Sequence, residues 1–91
     1  MVEILVVEDD RDLNGIVTAY LKASGYKVTS CFDGEEGFNS FIGHNFDMVV
    51  SDIMMPKMDG FELAEKIRFE NTTIPLIFMT AKDDKPSKQL G

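Results

Sequence analysis

The feature that most constrains the fold of this chain is a regular alternation between short apolar runs and segments with helical spacing. Glu3–Val7 is a nearly continuous, β-branched run that stops at an acidic triplet, as a strand buried on both faces does. From Asp12 apolar residues recur at helical spacing until Gly25, a helix stop residue. Further strands are predicted at 27–31, 47–52 and 74–80, and further helices from 34 to about 42 and from 60 to about 67. This βαβαβαβ order predicts an α/β fold, with a parallel sheet, right-handed crossovers and helices on both faces.

Composition limits the size of the protein and its partners. Ninety-one residues suit one domain, and a 44% hydrophobic fraction can supply its core. A formal charge of -7 would repel nucleic acid phosphates, so we expect no direct nucleic acid contact. The longest apolar runs are far shorter than the roughly 20 residues of a membrane span, and the first residues lack a basic signal-peptide start. Cys31, the single cysteine, excludes an internal disulfide and indicates a reduced, buried thiol and a cytoplasmic location.

Polar residues follow three of the predicted strands at their carboxyl ends. Glu8 and Asp9 follow the first strand, Asp52 ends the third and Thr80 ends the fourth. Because parallel strands end at one edge of the sheet, we expect these side chains to converge. Carboxylates in close proximity repel one another, and Mg²⁺ relieves that repulsion through oxygen ligands while leaving room for a phosphate oxygen. The pattern therefore predicts a magnesium site suited to phosphoryl transfer, with one carboxylate as the phosphate acceptor.

Other acidic residues have simpler interpretations. Asp33 and Asp59 are each followed three positions later by a glutamate, which predicts two capping boxes. Asp10 and Asp12 are interpreted as turn or cap residues. A calcium loop starting at Asp10 is disfavoured because Leu21 occupies the position of its bidentate glutamate. His44, in a polar loop, is expected to be solvated.

Three segments resemble one family in order and spacing: 4–10 (ILVVEDD), 47–60 (DMVVSDIMMPKMDG) and 75–81 (PLIFMTA). The chain is similar over its whole length to the receiver domain of bacterial two-component response regulators. The resemblance implies a flavodoxin-like three-layer fold with strand order 2-1-3-4-5. It also implies a cytoplasmic signalling protein that takes a phosphoryl group from a sensor histidine kinase and switches a DNA-binding output domain in the parent protein.

The resemblance also implies site roles. Asp52 becomes the phospho-acceptor, Glu8 and Asp9 the acidic pair that holds Mg²⁺, and Met54 the residue whose backbone carbonyl completes the metal site. Thr80 becomes the switch hydroxyl that turns toward the phosphoryl group. Such a protein is not a conventional enzyme: the intact parent would phosphorylate itself from a phosphodonor and slowly lose the phosphate by hydrolysis.

The sequence departs from the family at its carboxyl end. A complete receiver continues for roughly 30 residues, through a helix, a strand ending in a lysine and a last helix, whereas residues 82–91 read as a polar tail whose three lysines end no apolar run. We therefore expect a single receiver domain over 1–91, truncated after its fourth strand and impaired in phosphorylation. The exposed fourth strand would then favour a homodimer. The alternative is a non-signalling structural or interaction fragment that keeps the sheet but not phosphorylation.

Two other functions fit the residues less well. A magnesium phosphohydrolase also places a nucleophilic aspartate at a strand end, but typically has a second aspartate where this chain has Met54. An FMN carrier needs a phosphate loop rich in serine, threonine or glycine after the first strand, where this chain has an acidic triplet that repels phosphate.

Overall fold

The computed structural model describes residues 1–55 and 57–79. Within them four strands alternate with three helices: β1 (Glu3–Val7), α1 (Arg11–Ala23), β2 (Lys27–Cys31), α2 (Gly34–Ile42), β3 (Met48–Asp52), α3 (Gly60–Glu70) and β4 (Leu76–Met79). All strand pairs are parallel and the sheet order is β2-β1-β3-β4. The predicted alternation, the parallel sheet and the edge position of the more polar β2 are confirmed.

The register of the strands brings their carboxyl ends level. Val7, the last residue of β1, lies opposite Cys31 on β2 and Ser51 on β3. Asp52 lies opposite Met79, the last residue of β4. Residues that directly follow the strands therefore meet at one edge of the sheet.

The sheet separates two apolar layers because side chains alternate along each strand. Leu5 and Val7 face a larger cluster that includes Leu63 and Ile67 of α3 and Phe41 of α2. Ile4 and Val6 face the opposite side, where Val17 and Leu21 of α1 pack against them. The three-layer arrangement predicted by the resemblance is confirmed.

Cys31 belongs to the larger cluster, as its apolar surroundings predict. Its side chain is fully buried, and its Sγ lies 3.3 Å from Ser40 Oγ. Burial raises the pKa of this thiol above its ordinary value, and the Ser40 contact offsets part of that rise. A neutral, buried thiol is a packing residue and a poor nucleophile.

Aspartates begin all three of these helices. Asp10, Asp33 and Asp59 each accept hydrogen bonds from backbone amides of the first turn. Gly25, just beyond α1, adopts φ +99°, a conformation that glycine takes without strain. In the capping box that Asp33 begins, the Glu36 carboxylate accepts from the backbone N–H of Phe32. A standard capping box would use the backbone N–H of Asp33, one residue later.

Two boundaries differ from the sequence prediction. β3 begins at Met48, and Asp47 just before it bonds to Glu3 through both its carboxylate and its backbone N–H. β4 begins at Leu76, since the carbonyl of Ile74 accepts a hydrogen bond from the Arg68 guanidinium. Thr80 and the predicted polar tail at 82–91 lie outside the described residues.

Among the helices that the structure describes, none has the length and apolar character of a membrane span.

Candidate phosphoryl and metal site

Three acidic side chains converge at the carboxyl edge of the sheet. Glu8, Asp9 and Asp52 each offer a carboxylate oxygen, and these oxygens all lie within 4.8 Å of one another. Glu8 and Asp52 are fully buried, whereas Asp9 is half-buried. The structure thus brings together the three carboxylates that the sequence analysis placed at this edge.

The position of Glu8 follows from the end of β1. Its backbone N–H donates to the carbonyl of Cys31 at 3.0 Å, which extends the β1–β2 ladder by one residue. Its carboxylate oxygen Oε2 accepts from the backbone N–H of Asp10 at 2.8 Å. Asp10 in turn caps α1 through Oδ1. The turn between β1 and α1 is therefore fixed at both ends, and it carries Asp9 between them.

Asp52 is held by its two chain neighbours and lies close to the start of α3. Its Oδ1 accepts from the backbone N–H of Ile53 at 2.8 Å, and its carbonyl accepts from the Ser51 hydroxyl at 2.9 Å. The backbone N–H of Gly60 donates to the Ile53 carbonyl at 2.7 Å. A methyl group on Gly60 would overlap the Asp52 carbonyl oxygen, so glycine is required for this close approach.

The chemistry of this donor set fits a hard divalent cation. The cluster consists only of carboxylate oxygens, the ligands that Mg²⁺ prefers, and two of them stand where water cannot screen their charge. Burying several carboxylates together is unfavourable unless a cation or a proton compensates them. Lys57, a cation of the loop after β3, makes ion pairs with Asp33 and Glu35.

The remaining predicted site residues are placed less fully. Met54 lies in the loop after β3, two residues beyond Asp52, with its side chain about half exposed. Its backbone carbonyl as a metal ligand stays a prediction. Thr80 lies outside the described residues, so its switch role also stays a prediction.

A contact between the loop after β3 and the start of α2 was missed by sequence reasoning. Lys57 adopts φ 67°, a left-handed conformation unusual for a residue with a side chain, and its Nζ lies 3.6 Å from Asp33 Oδ2. Met58 packs directly on Gly34, where a methyl group would overlap its carbonyl. The small residue directly after the Asp33 cap was the only sequence sign of this approach.

His44 is exposed to solvent, as predicted, but it also makes contacts that the sequence did not indicate. Its Nε2 lies 2.7 Å from Glu3 Oε1, and its ring packs against Phe46 at a centroid distance of 5.0 Å. Glu3 begins β1, at the end of the sheet opposite the acidic cluster. Strand pairing brings these two residues together from 41 positions apart, and no local pattern records such a contact.

Comparison with known proteins identifies the family. The response regulator receiver domain model matches residues 4–90. The transcriptional regulatory protein RprY of Bacteroides fragilis is 48% identical over 79 residues, covering 87% of this chain and 34% of its own length. This chain therefore spans about a third of that relative.

Solved structures of receiver domains resemble this chain in fold as well. The chemotaxis protein CheY4 of Vibrio cholerae superposes with a TM-score of 0.83 at 27% identity, covering 100% of this chain and 81% of its own. A chain from the complex of histidine kinase ThkA with response regulator protein TrrA has a TM-score of 0.83 at 34% identity, covering 89% of this chain and 70% of its own. With the family model matched over nearly all of its length, this chain belongs to the response regulator receiver domain family of two-component systems.

Proposed function

We propose that Asp52 is the phospho-acceptor of this receiver, with Mg²⁺ held by the carboxylates of Glu8, Asp9 and Asp52 and by the backbone carbonyl of Met54. The observation that carries the proposal is the convergence of three carboxylate oxygens within 4.8 Å at the carboxyl edge of the sheet. Family membership supports the reaction class, and the convergence of Glu8, Asp9 and Asp52 supports the choice of these three residues.

In the proposed reaction a carboxylate oxygen of Asp52 attacks the phosphorus of a phosphohistidine or a small phosphodonor. A P–O bond forms and the bond to the leaving group breaks, so its electron pair returns to the histidine nitrogen or donor oxygen. The hydrogen bond from Ile53 orients the Asp52 carboxylate for this attack. Bound Mg²⁺ would neutralise the charge of the incoming phosphoryl group. Water later hydrolyses the acyl phosphate, and Thr80 is the proposed switch hydroxyl.

The partners follow from the relatives. The match to a receiver in complex with a histidine kinase supports a sensor histidine kinase as the phosphodonor of this chain. The similarity to a transcriptional regulatory protein of about two and a half times the length supports a parent protein with a DNA-binding output domain. We propose that residues 1–91 form one receiver domain of such a parent. The buried, reduced Cys31 supports a cytoplasmic location.

We also propose that this chain forms a homodimer through β4. Among the described residues β4 pairs with β3 alone, so its outer edge can accept another strand. Ile77 at the centre of β4 is 47% exposed, which adds apolar surface beside that edge.

The function is tested by incubating the chain with acetyl phosphate and Mg²⁺ and measuring intact mass. We expect one phosphoryl adduct that is absent in Asp52→Asn and without Mg²⁺. Glu65→Gln, which removes an exposed carboxylate of α3, serves as the matched control and should be phosphorylated normally.

Two outcomes would contradict the proposal. An adduct that persists in Asp52→Asn would place the acceptor elsewhere. A folded chain that forms no adduct under any of these conditions would favour the alternative, a non-signalling interaction fragment.

A further inference from the structure

Asn14 is a buried polar residue of α1 that none of the proposed site roles uses. Only 2% of its surface is exposed, and its side-chain amide nitrogen donates to two carbonyls, that of Glu8 at 3.0 Å and that of Cys31 at 2.9 Å. Both acceptors are backbone atoms, one just beyond β1 and one at the end of β2. One side chain of α1 therefore joins two strand ends where they reach the acidic cluster.

The other half of the amide is also engaged. Asn14 Oδ1 accepts from the Thr18 hydroxyl at 3.1 Å, and that hydroxyl lies 2.7 Å from Ser30 Oγ on β2. Two donors aimed at two carbonyls and one acceptor facing a hydroxyl fix the orientation of the amide plane. Because the two bonds from Asn14 to the carbonyls are buried, breaking one leaves a buried polar group unsatisfied, and the amide resists displacement.

The network holds the backbone of Glu8, whose carboxylate belongs to the acidic cluster. The Cys31 carbonyl accepts from both Asn14 and the backbone N–H of Glu8, while the Glu8 carbonyl accepts from Asn14. Glu8 is thus held on both sides of its own Cα. The peptide that follows leads directly to Asp9, so the same bonds limit where both acidic side chains can stand.

We propose that Asn14 is a positioning residue that sets the Mg²⁺ affinity of the acidic cluster by fixing the backbone of Glu8. The proposal rests on the proposed function, since it assumes that the cluster binds Mg²⁺. Asn14 itself does not need to contact the ion. Removal of groups that orient metal ligands typically weakens metal binding by about 10-fold to 100-fold.

The test compares two variants of one hydrogen-bond network. Asn14→Leu removes both bonds to the strand carbonyls at similar volume. Thr18→Val removes the hydroxyl from the same network but leaves both carbonyl bonds in place. Both should lower the melting temperature, so stability alone does not separate them. Calorimetric titration with Mg²⁺ should show binding about tenfold weaker in Asn14→Leu and nearly unchanged in Thr18→Val.

A second measurement uses the unmodified chain and does not depend on a variant folding. In ¹⁵N-resolved NMR spectra, the side-chain NH₂ signals of Asn14 should shift with Mg²⁺ at the same midpoint as the backbone amide of Asp9. Signals of Asn14 that stay fixed while Asp9 shifts would overturn the proposal, as would equal Mg²⁺ affinity in the two variants. If the unmodified chain binds no Mg²⁺, the proposed function fails and this proposal fails with it. Mg²⁺ binding that is indifferent to Asn14 refutes the positioning role alone.

Discussion

Two glycines illustrate how a single methyl group can have opposite effects in this chain. At Gly60 an added methyl would meet the Asp52 carbonyl, whereas at Gly15, inside α1, it would meet no atom within 4 Å. We expect Gly60→Ala to lower the free energy of unfolding by about 2 kcal/mol through overpacking. Gly15→Ala should raise it by about 0.5 to 1 kcal/mol, since alanine favours a helix interior. Urea denaturation of both variants checks the pair: unchanged or higher stability of Gly60→Ala would contradict the close approach at Gly60, and lower stability of Gly15→Ala would contradict the open position in α1.

The acidic cluster should lower the stability of the metal-free chain and raise its stability when Mg²⁺ is bound. Replacing Asp9 or Asp52 by asparagine removes one charge from a group of carboxylates within 4.8 Å, so each variant should be more stable without metal, by about 1 to 3 kcal/mol. Mg²⁺ should raise the melting temperature of the unmodified chain and have little effect on either variant. Thermal melts with EDTA and with Mg²⁺ measure both effects, with Glu65→Gln as the exposed-carboxylate control.

Equal Mg²⁺-induced shifts in all four proteins would contradict a metal site at these residues. Lower stability of Asp52→Asn in EDTA would contradict a destabilising repulsion among these carboxylates, because asparagine can still accept the hydrogen bond from Ile53. One set of melts therefore tests the Mg²⁺ site and the carboxylate repulsion separately.

At the scale of the elements, α2 is preceded by a cap residue that also has an ion-pair partner. Asp33 accepts from the backbone N–H of Glu36 at 2.8 Å and also faces Lys57 at 3.6 Å. Asp33→Ala should lower the free energy of unfolding by about 1 to 2 kcal/mol, because the cap and the ion pair are both lost. Asp33→Asn keeps the cap and loses only the exposed ion pair, so its cost should stay below about 1 kcal/mol. Chemical denaturation of the two variants tests this order, and equal costs would assign the effect to the ion pair.

The helices and strands could be predicted well from the sequence because their local patterns agree with their burial. β1 is apolar on both faces because helices cover both sides of the sheet, and its limits match the predicted run. The predicted convergence of Glu8, Asp9 and Asp52 needed only the rule that parallel strands end at one edge.

Contacts between elements could not be predicted in the same way. Asn14 occupies a position where helical spacing does not distinguish a buried polar residue from an exposed one, and only the strand carbonyls around it explain its burial. The left-handed conformation of Lys57 arises from packing of its loop on α2, which no residue pattern within that loop indicates. Contacts of this kind form only in the folded tertiary structure.

At the scale of the whole molecule, the two edges of the sheet differ in character. β2 forms one edge and carries Lys27, Thr29 and Ser30, polar side chains that discourage strand addition. β4 lies at the other end of the described sheet and consists of four apolar residues, Leu76–Met79. Self-association should therefore occur through the outer edge of β4 and not through the outer edge of β2.

The proposed homodimer gives a direct test of this asymmetry. Ile77→Lys introduces a charge at the centre of β4, where lysine is an effective block to edge pairing, so it should shift the chain toward monomer. Ile16→Lys makes the same substitution on α1, at a side chain that is 66% exposed, and should leave the association unchanged. Sedimentation velocity over a dilution series measures both variants against the unmodified chain. If both substitutions dissociate the dimer, added surface charge in general would be the cause. If the unmodified chain stays monomeric at every concentration, there is no dimer, and the outer edge of β4 does not bind a second copy.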